Sequence, residues 1–236
     1  YAGPFFRHER PQAGRYRQFH QIGAEAIGSD SPLADVEVIT LISDLIEELG
    51  VPGVELHLGS LGSLDARASY LEELKSHLRA REEELSGDVR ERIEINPLRA
   101  FDSDHEGTRT VMAEAPQLLD FLSAEDAEHF EEVKSLLGAA SVEFTIDPTL
   151  VRGLDYYTRT IFSFVCDWLG AQAEIGGGGR YDGLIEQLGG PETPAVGWAA
   201  GIERILLALD EQVTSAGMDL FVVVPDPELM TKAVAL

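Results

Sequence analysis

Alternating hydrophobic and polar positions predict strands near the beginning of the chain. The stretches 1–10 and 18–28 flank the loop PQAGRYR, which predicts an antiparallel hairpin with a long loop. A third alternating stretch, GVELHLG at 53–59, predicts another strand, because successive side chains of a strand point to opposite faces. This part of the chain therefore supplies three strands of a predicted sheet.

Between the second and third of these strands, residues 32–49 have the spacing of an amphipathic helix. Ser31 can cap its N-terminus, Pro32 suits its first turn, and Gly50 provides a stop. The side chains expected to form its buried stripe are Leu41, Ile42, Leu45, Ile46 and Leu49.

From about residue 63 the alternating pattern gives way to charged stretches with helical spacing. The predicted helices are 64–85, 87–95, 110–122 and 124–137. Asn96-Pro97 and the segment DSDHEG at 102–107 interrupt them. Charge runs such as REEE at 81–84 are typical of solvated helix faces. We interpret residues 63–140 as a helical insertion or a small second domain.

After residue 141 the strand pattern returns. Strands are predicted at 142–146, 160–167, 173–175, 194–201 and 219–225, with helices at 181–188 and 202–211. The whole pattern indicates an α+β fold, in which an antiparallel sheet is interrupted by the helical insertion. The last predicted strand follows a linker and marks a possible domain boundary.

The charge balance limits the classes of partner. The 236 residues contain 42 acidic against 18 basic residues, a net charge of −24, which argues against wrapping nucleic acid over most of the surface. A local anion site is still compatible with this balance, because four arginines fall within the first twenty positions. The general preference for Arg over Lys has a simpler explanation in genome composition or salt adaptation. That explanation does not account for the clustering.

Several other classes of site lack support in the sequence. Cys166 is the only cysteine, and the histidines show no metal-ligand spacing, so we expect no metal site in the protein itself. We find no apolar stretch long enough for a transmembrane span and no signal peptide, so we expect a cytoplasmic protein without membrane contact. The chain lacks an initiator Met and ends within a new α/β unit, and we therefore expect it to be a fragment.

The first two strands carry a candidate binding slot. Arg7 and Glu9 share one face of the first strand, and Gln21, Gly23 and Glu25 share one face of the second. Gly23 leaves a gap between two polar side chains, where a small polar ligand could lie. An exposed sheet face with ordinary surface charges is the alternative. Arginine in such a slot suits phosphate or carboxylate oxygens, which its planar fork binds through two hydrogen bonds.

Three further stretches carry candidate chemistry, each with a simpler alternative. VRGLDYYTRTIF at 151–162 presents Arg152, Tyr156 and Tyr157, although both tyrosines could be core residues. GGGGRYDGL at 176–184 lets a backbone approach a ligand closely, or forms a flexible turn; it fits neither common nucleotide-binding fingerprint. GWAAGIERILLAL at 197–209 places Arg204 near a helix N-terminus, or simply on the surface.

Together these stretches resemble one family, over nearly the whole chain. FRHERPQAGRYRQFHQIGAE resembles the second signature motif of class II aminoacyl-tRNA synthetases in its histidyl version. RGLDYYTRTIF and GGGGRYDGL resemble the two histidine-specific signatures of histidyl-tRNA synthetases, which are long and specific. GWAAGIERI resembles the third class II motif, with Trp198 where Phe is common. The first class II motif and the Thr-x-Glu loop are expected upstream of Tyr1 and are not in this sequence.

The resemblance implies a fold and a domain division. The fold is the class II antiparallel sheet flanked by helices. Residues 1–62 and 141–214 would form the catalytic core, with 63–140 as the helical insertion domain. Residues 215–236 would start a truncated α/β anticodon-binding domain.

The resemblance also implies roles for individual residues. Arg7 would contact the α-phosphate of ATP, Glu9 the adenine amino group and Arg204 the γ-phosphate. Arg15 and Arg17 would lie on the loop that meets the pyrophosphate or the tRNA 3′ end. Which of the two contacts ATP and which contacts tRNA is left open.

For the amino acid, Gln21 would hold the α-amino group, and Glu25 and Tyr157 would face the imidazole. Tyr156 would help to line that pocket, and Arg152 would bridge the histidine carboxylate and the α-phosphate. The glycines 176–179, with Gly177 and Gly178 at their centre, would form a wall.

The implied function is histidine–tRNA ligation: L-histidine is activated with ATP and transferred to the 3′ end of tRNA(His). Mg²⁺ is expected with ATP, and a homodimer is expected in the complete protein. A non-catalytic paralogue, such as the regulatory subunit of ATP phosphoribosyltransferase, is the alternative. Such relatives tend to lose the arginines, whereas Arg7, Arg152 and Arg204 are all present here.

Arg152→Lys is predicted to lower histidine activation by orders of magnitude, with a smaller effect on ATP affinity. Lysine keeps the charge but loses the fork that a bridging position requires. Pyrophosphate exchange at varied histidine and ATP concentrations measures both effects. Activity within about threefold of wild type, or roughly 0.7 kcal/mol, would exclude Arg152 as the bridge.

Overall fold

One mixed sheet organises the part of the chain that the structure describes. In the computed structural model the described residues are 1–8, 11, 15–151 and 156–209, without the side chains of 171 and 172. Within these residues, the strands of the sheet are Ala2–Phe6 (β1), Gln18–Ile27 (β2), Val54–Ser60 (β3), Thr145–Ile146 (β4), Thr158–Cys166 (β5), Glu174–Arg180 (β6) and Ala195–Gly201 (β7). Their order across the sheet is β1-β2-β7-β6-β5-β3-β4.

Five of the neighbouring strand pairs are antiparallel, and β3 with β4 is parallel. The β2–β7 register places Gln21 opposite Gly201 and Glu25 opposite Gly197. Strands distant in sequence are therefore neighbours at the centre of the sheet. The α+β class is confirmed, with the short parallel β4 added at one edge.

The helices of the described residues are Pro32–Glu48 (α1), Leu64–Ala80 (α2), Gly87–Arg92 (α3), Glu106–Ala113 (α4), Ala124–Ala139 (α5), Leu184–Gln187 (α6) and Ile202–Ala208 (α7). Short 3₁₀ segments cover Glu82–Glu84, Pro97–Asp102, Leu118–Phe121 and Asp167–Gln172. Four of these helices, α1, α2, α3 and α5, begin with a serine whose hydroxyl accepts a hydrogen bond from a backbone N–H of the first turn. The serines are Ser31, Ser63, Ser86 and Ser123. These caps set where the helices begin.

The helix boundaries in the predicted insertion differ from the expectation. The predicted helix 110–122 is two elements, α4 and a 3₁₀ segment, and α4 begins inside the stretch expected to interrupt helices. His105 makes this possible, because its ring accepts a hydrogen bond from the backbone N–H of Thr108 and caps α4. A histidine cap carries no strong signal in the sequence.

Two predictions in the sheet also need correction. The stretch 142–146 contributes only Thr145 and Ile146, and these pair in parallel with β3. The strand expected at 173–175 continues through all four glycines to Arg180, so the glycine run is a central strand and not a flexible turn. The strand predicted at 219–225 lies outside the described residues.

The glycine run allows close packing on both sides of β6. A Cβ at Gly176 would meet Ala200 Cβ at 2.8 Å and Ile42 Cδ1 of α1 at 3.0 Å. These distances are shorter than ordinary van der Waals contact, so a side chain here would push α1 away from the sheet. The glycines therefore let the helix and the neighbouring strand approach closely.

Two hydrophobic cores lie against the sheet. The first joins α1 and α5 to the sheet through side chains such as Ile39, Val133 and Phe162. The buried stripe of α1 is turned relative to the prediction: Leu41 and Leu49 are exposed, while Val38, Ile39, Ile42 and Ile46 are buried. The second core contains α2, α3 and α4, and it reaches the sheet at Tyr157 and Ile161.

A buried ion pair crosses the first core. Arg180, at the end of β6, and Asp35, in the first turn of α1, are both fully inaccessible to solvent and hydrogen-bonded to each other. Arg180 also donates to the carbonyls of Ser29 at 2.9 Å and Ser31 at 3.2 Å, and to Asp182 Oδ1 at 3.1 Å. Burial alone would raise the pKa of Asp35, but its contacts with His129 and Arg180 outweigh burial and hold that pKa below its usual range.

Among the helices of the described part of the chain, none is both long and apolar enough to cross a membrane.

Asp35→Asn is predicted to destabilise the protein by about 3–5 kcal/mol, because it removes the fully buried carboxylate that pairs with Arg180 and leaves only the part-exposed Asp182 as a counter-charge. Urea unfolding at neutral pH measures the loss. Because the pKa of Asp35 is lowered in the folded protein, its stabilisation is present above its unfolded pKa and is lost as the pH falls through its folded pKa.

Glu37→Gln on the exposed side of the same helix is the matched control and is expected to change stability by about 0.5 kcal/mol or less. Equal stability of the two variants would show that the buried pair is not needed.

Candidate functional site

A cavity of about 530 Å³ opens on the sheet face opposite α1. Ile22, Ala24 and Ala26 of β2 pack against the first core, so the alternate residues of β2 face the other way. Gln21 and Glu25 are among those alternate residues, and both line the cavity. A volume of this size is typical of small-molecule sites.

The predicted gap at Gly23 is present but is filled from within the protein. A Cβ at Gly23 would collide with the Trp198 carbonyl and with the ring of Tyr1. The N–H of Gly23 donates to the Tyr1 carbonyl at 3.0 Å, which keeps β1 beside β2 here. Gly23 therefore makes room for Tyr1, which is itself one of the residues that line the cavity.

At one end of the cavity, Glu25 forms a polar pair with Tyr181. The Tyr181 hydroxyl donates to Glu25 Oε2 at 2.5 Å. Burial raises the pKa of Glu25, and the hydrogen bond from Tyr181 offsets part of that rise. Burial, with the nearby carboxylate, also raises the pKa of Tyr181, so its hydroxyl stays protonated and acts as a donor.

Gly197 is essential to the position of that carboxylate. It lies opposite Glu25 in the β2–β7 register, and a Cβ on Gly197 would overlap Glu25 Oε2. Only a residue without a side chain lets the carboxylate lie flat over β7. Glu25 and Gly197 are 172 positions apart in the chain (197 − 25), so no local sequence pattern predicts this contact.

Three tyrosines form an aromatic wall beside Glu25. The rings of Tyr156 and Tyr157 are 4.5 Å apart, and the rings of Tyr156 and Tyr181 meet edge to face at 5.8 Å. All three line the cavity. A planar ring with an N–H donor suits this end, because it can pack on the aromatic faces and donate to Glu25.

The other end of the cavity carries guanidinium groups. Arg7 lies with its guanidinium carbon 3.8 Å from the centre of the Phe19 ring and donates from Nε to the Tyr16 carbonyl at 2.9 Å. Arg204, in the first turn of α7, donates from Nη1 to the Glu174 carbonyl at 2.6 Å. Both arginines line the cavity.

Glu203 fixes α7 against β2 beside Arg204. Its carboxylate accepts the backbone N–H of His20 at 2.9 Å and contacts the His20 ring at 3.1 Å. Burial alone would raise the pKa of Glu203, but the hydrogen bonds from His20 outweigh it and keep that pKa below its usual range. The start of α7 is therefore held next to Gln21, which is opposite Gly201.

The two ends of the cavity are separated along β2. Gln21 and Glu25 are four residues apart, which is about 13 Å at the usual rise of a strand. The cavity thus combines a cationic end, suited to an anion, with a carboxylate and aromatic end, suited to a polar ring. Gln21, opposite Gly201, lies at the inner border of the cationic end and is a neutral hydrogen-bonding group.

Most of the predicted site residues that the structure describes lie in this cavity. They are Arg7, Gln21, Glu25, Tyr156, Tyr157, Gly177 and Arg204. Gly178 is placed differently, since a Cβ there would overlap the Gly197 carbonyl, which marks close strand packing. Arg15 and Arg17 are described but are not among the residues that line the cavity. Glu9 and Arg152 lie outside the described residues.

The sequence interpretation missed Tyr181 and Gly197 as site residues. Tyr181 follows Arg180 within the quoted stretch GGGGRYDGL, so a polar aromatic residue after a glycine-rich strand was the available signal. Within the described residues there is no group of three or more His, Cys, Asp or Glu side chains arranged to hold a metal ion.

Comparison with known proteins identifies relatives of this chain. A family model described as histidyl-tRNA synthetase matches residues 1–205. A histidine–tRNA ligase of Halorhodospira halophila (strain DSM 244 / SL1) is 53% identical over 214 residues, covering 91% of this chain and 51% of that protein. A histidine–tRNA ligase of Synechococcus sp. (strain WH7803) is 53% identical over 210 residues, covering 89% of this chain and 48% of that protein. The chain spans about half the length of these relatives.

Solved structures show the same relationship. The apo histidyl-tRNA synthetase of S. aureus is 36% identical, with a TM-score of 0.70, and the match covers 100% of this chain and 57% of that one. A Bacillus halodurans C protein described as an ATP phosphoribosyltransferase regulatory subunit/histidyl-tRNA synthetase is 22% identical, with a TM-score of 0.61. That match covers 89% of this chain and 58% of the other, and it shows likeness of fold alone. By the family match and the identity to its relatives, this chain belongs to the histidyl-tRNA synthetase family.

Proposed function

We propose that this chain is the catalytic part of a histidine–tRNA ligase. It activates L-histidine with ATP to histidyl-adenylate and transfers the histidyl group to the 3′ end of tRNA(His). The observation that carries this proposal is the cavity itself, with Arg7 and Arg204 at one end and the Glu25–Tyr181 pair at the other. A phosphate and an imidazole are the ligand parts that these two ends suit.

The chemistry of activation explains the arginines. The histidine carboxylate attacks the α-phosphorus of ATP, the new bond is a mixed anhydride, and pyrophosphate leaves. Two anions must come together, and negative charge increases in the transition state. Fixed guanidinium groups offset this repulsion, and loss of one such contact typically costs about 3–4 kcal/mol. No side-chain nucleophile is needed.

In this proposal the cationic end binds ATP. Arg7 contacts the α-phosphate, and Arg204 the γ-phosphate. Arg7 already lines the cavity, with its guanidinium held over the Phe19 ring. Glu9 and Arg15 remain proposed ATP-binding residues from the family resemblance, as does Arg152 for the bridge to histidine. Mg²⁺ would accompany the phosphates; Glu174, which lines the cavity near Arg204, carries a carboxylate of the kind that it takes, whereas both carboxylate oxygens of Glu203 already accept from His20.

The other end binds histidine. The side-chain carbonyl of Gln21 accepts a hydrogen bond from the α-amino group, and the carboxylate of Glu25 accepts one from the imidazole N–H. Tyr156 and Tyr157 pack beside the ring, and the backbone of Gly177, which lines the cavity, forms the wall behind it. The Tyr181 hydroxyl donates to Oε2 of Glu25, and in this proposal Oε1 accepts the hydrogen bond from the imidazole.

The organisation of the whole protein is also proposed from the family. Residues 1–62 and 141–214 form the catalytic core, 63–140 the helical insertion, and 215–236 the start of an anticodon-binding domain. We propose a cytoplasmic homodimer. The exposed Phe6 of the edge strand β1 supports an interface at that edge, because unpaired apolar strand edges favour association.

The assembled site favours an enzyme over a regulatory paralogue. A regulatory subunit has no need of phosphate-binding arginines, yet Arg7 and Arg204 line one cavity together with Gln21 and Glu25. The decisive test is pyrophosphate exchange by the full-length protein, with each amino acid supplied in turn. Exchange that depends on histidine supports the proposal, and an absence of exchange with active ATP binding would favour the regulatory alternative.

Glu25→Gln is predicted to weaken histidine binding by about tenfold or more while changing ATP binding little, because an amide accepts an imidazole N–H less strongly than a carboxylate does. Separate titrations with histidine and ATP measure the two effects. Glu192→Gln, at an exposed position, is the control for loss of one negative charge. Equal losses for both substrates would remove Glu25 from the histidine subsite.

Gly197→Ala is predicted to reduce histidine affinity at least as much as Glu25→Gln, because its methyl group displaces the Glu25 carboxylate. Gly201→Ala is the matched control on the same strand and in the same cavity. Its Cβ would lie 3.6 Å from Arg204 Cδ, an ordinary contact. Similar histidine affinities of the two alanine variants would show that the position of Glu25 over Gly197 is unimportant.

A further inference from the structure

Helices α2 to α5 form what we call the helical part of the chain. A second buried arginine, Arg67 near the beginning of α2, lies where this helical part meets the sheet. It is 6% exposed. Its Nε donates to the Leu61 carbonyl at 3.1 Å, and its Nη2 donates to the Tyr157 carbonyl at 2.6 Å and the Gly62 carbonyl at 3.4 Å. A guanidinium is costly to bury, and here main-chain carbonyls of two separate segments help to compensate it.

These two segments are also joined by their own backbones. The N–H of Leu61 donates to the Arg159 carbonyl at 2.7 Å, and the N–H of Arg159 donates to the Gly62 carbonyl at 2.9 Å. Arg159 has a φ of 44°, in the left-handed region that a residue with a side chain rarely adopts. The junction therefore holds its backbone in a conformation that needs outside support.

Support comes from α5, at the far end of the helical part. Asp126, which is 1% exposed, accepts from Arg159 Nε at 3.0 Å and from the N–H of Ser63 at 3.0 Å. Arg67 from α2 and Asp126 from α5 thus both hydrogen-bond to the junction. The most direct contact with the site is the one from Arg67, because it reaches the carbonyl of a cavity residue.

That cavity residue is Tyr157. Its ring is 8% exposed, lines the cavity and packs 4.5 Å from Tyr156, which in turn contacts Tyr181 and so lies next to the partner of Glu25. Fixing the carbonyl of Tyr157 fixes the backbone from which its ring projects. A small shift there would move the aromatic wall against Glu25.

We propose that Arg67 is a positioning residue for the histidine end of the cavity, acting through the main-chain carbonyl of Tyr157. The helical part of the chain thereby contributes to amino-acid recognition from outside the cavity. This inference rests on the proposed function, since it concerns the same histidine subsite. Arginine is suited to the position because its fork reaches both segments at once, which a single ammonium group cannot do.

The test is Arg67→Lys in the full-length protein, assayed by pyrophosphate exchange. The expected result is a KM for histidine raised about tenfold, with the KM for ATP changed by about twofold or less, because a lysine replaces the bond across the two segments only in part. Arg79→Lys is the matched control: Arg79 is exposed on the same helix and pairs with Glu94, so both KM values are expected to stay at the wild-type level.

A double-mutant cycle with Tyr157→Ala, which removes the ring that Arg67 is proposed to position, separates positioning from general loosening. If Arg67 acts through Tyr157, the double variant raises the KM for histidine by less than the product of the two single-variant increases. Should Arg67→Lys fail to fold, Arg67→Gln, whose neutral side-chain amide keeps two N–H donors, is measured in the same way. Histidine-induced stabilisation in thermal unfolding then gives a readout independent of turnover.

Three outcomes would overturn the inference: unchanged KM for histidine, equal increases for histidine and ATP, or fully multiplicative effects in the cycle. Failure of the proposed function looks different, because then the wild-type protein itself shows no histidine-dependent exchange and no stabilisation by histidine.

Discussion

The buried pair of Arg180 and Asp35 is the interaction on which the site geometry depends. Removing two charges from water is favourable only when every hydrogen-bonding group finds a partner, so the pair demands a fixed arrangement around it. That arrangement includes the β2–α1 loop at Ser29 and Ser31, the first turn of α1 and the end of β6. The next residue is Tyr181, on the opposite face, which donates to Glu25. An ion pair in the core thus fixes the backbone from which a cavity side chain projects.

Absent side chains shape the cavity as much as present ones. Gly197 lets the Glu25 carboxylate lie over β7, and Gly176 lets α1 approach β6 on the other face. Gly23 admits the ring of Tyr1. A strand rich in glycine is normally weak, because it has little to pack and loses more entropy on folding. Here the strands lie in the middle of a sheet, with pairing on both sides, which offsets that weakness.

The sequence predicts the parts of this arrangement that follow from local periodicity. Alternation along β2 is enough to put Gln21 and Glu25 on one face, and helical spacing finds α1, α2 and α5. Tyr181 and Gly197 were missed because their importance comes from the β2–β7 and β6–β7 registers, which join distant parts of the chain. The glycine run gave no side-chain pattern from which a strand could be recognised. His105 was overlooked as a cap because histidine rarely takes that role.

The topology gives a physical reason for the buried charges at the junction. Strands β3 and β5 are antiparallel neighbours, and Ser60 pairs with Thr160, although they are 100 residues apart in the chain (160 − 60). The chain between them, which contains α2, α3, α4 and α5, is a long connection whose two ends must meet, and closing so long a loop costs conformational entropy. Contacts at the point where the two ends meet therefore help to offset this entropy cost. Arg67, Asp126 and Arg159 all form hydrogen bonds at this point. Because Tyr157 lies immediately before this point, the contacts that close the connection also define one wall of the cavity.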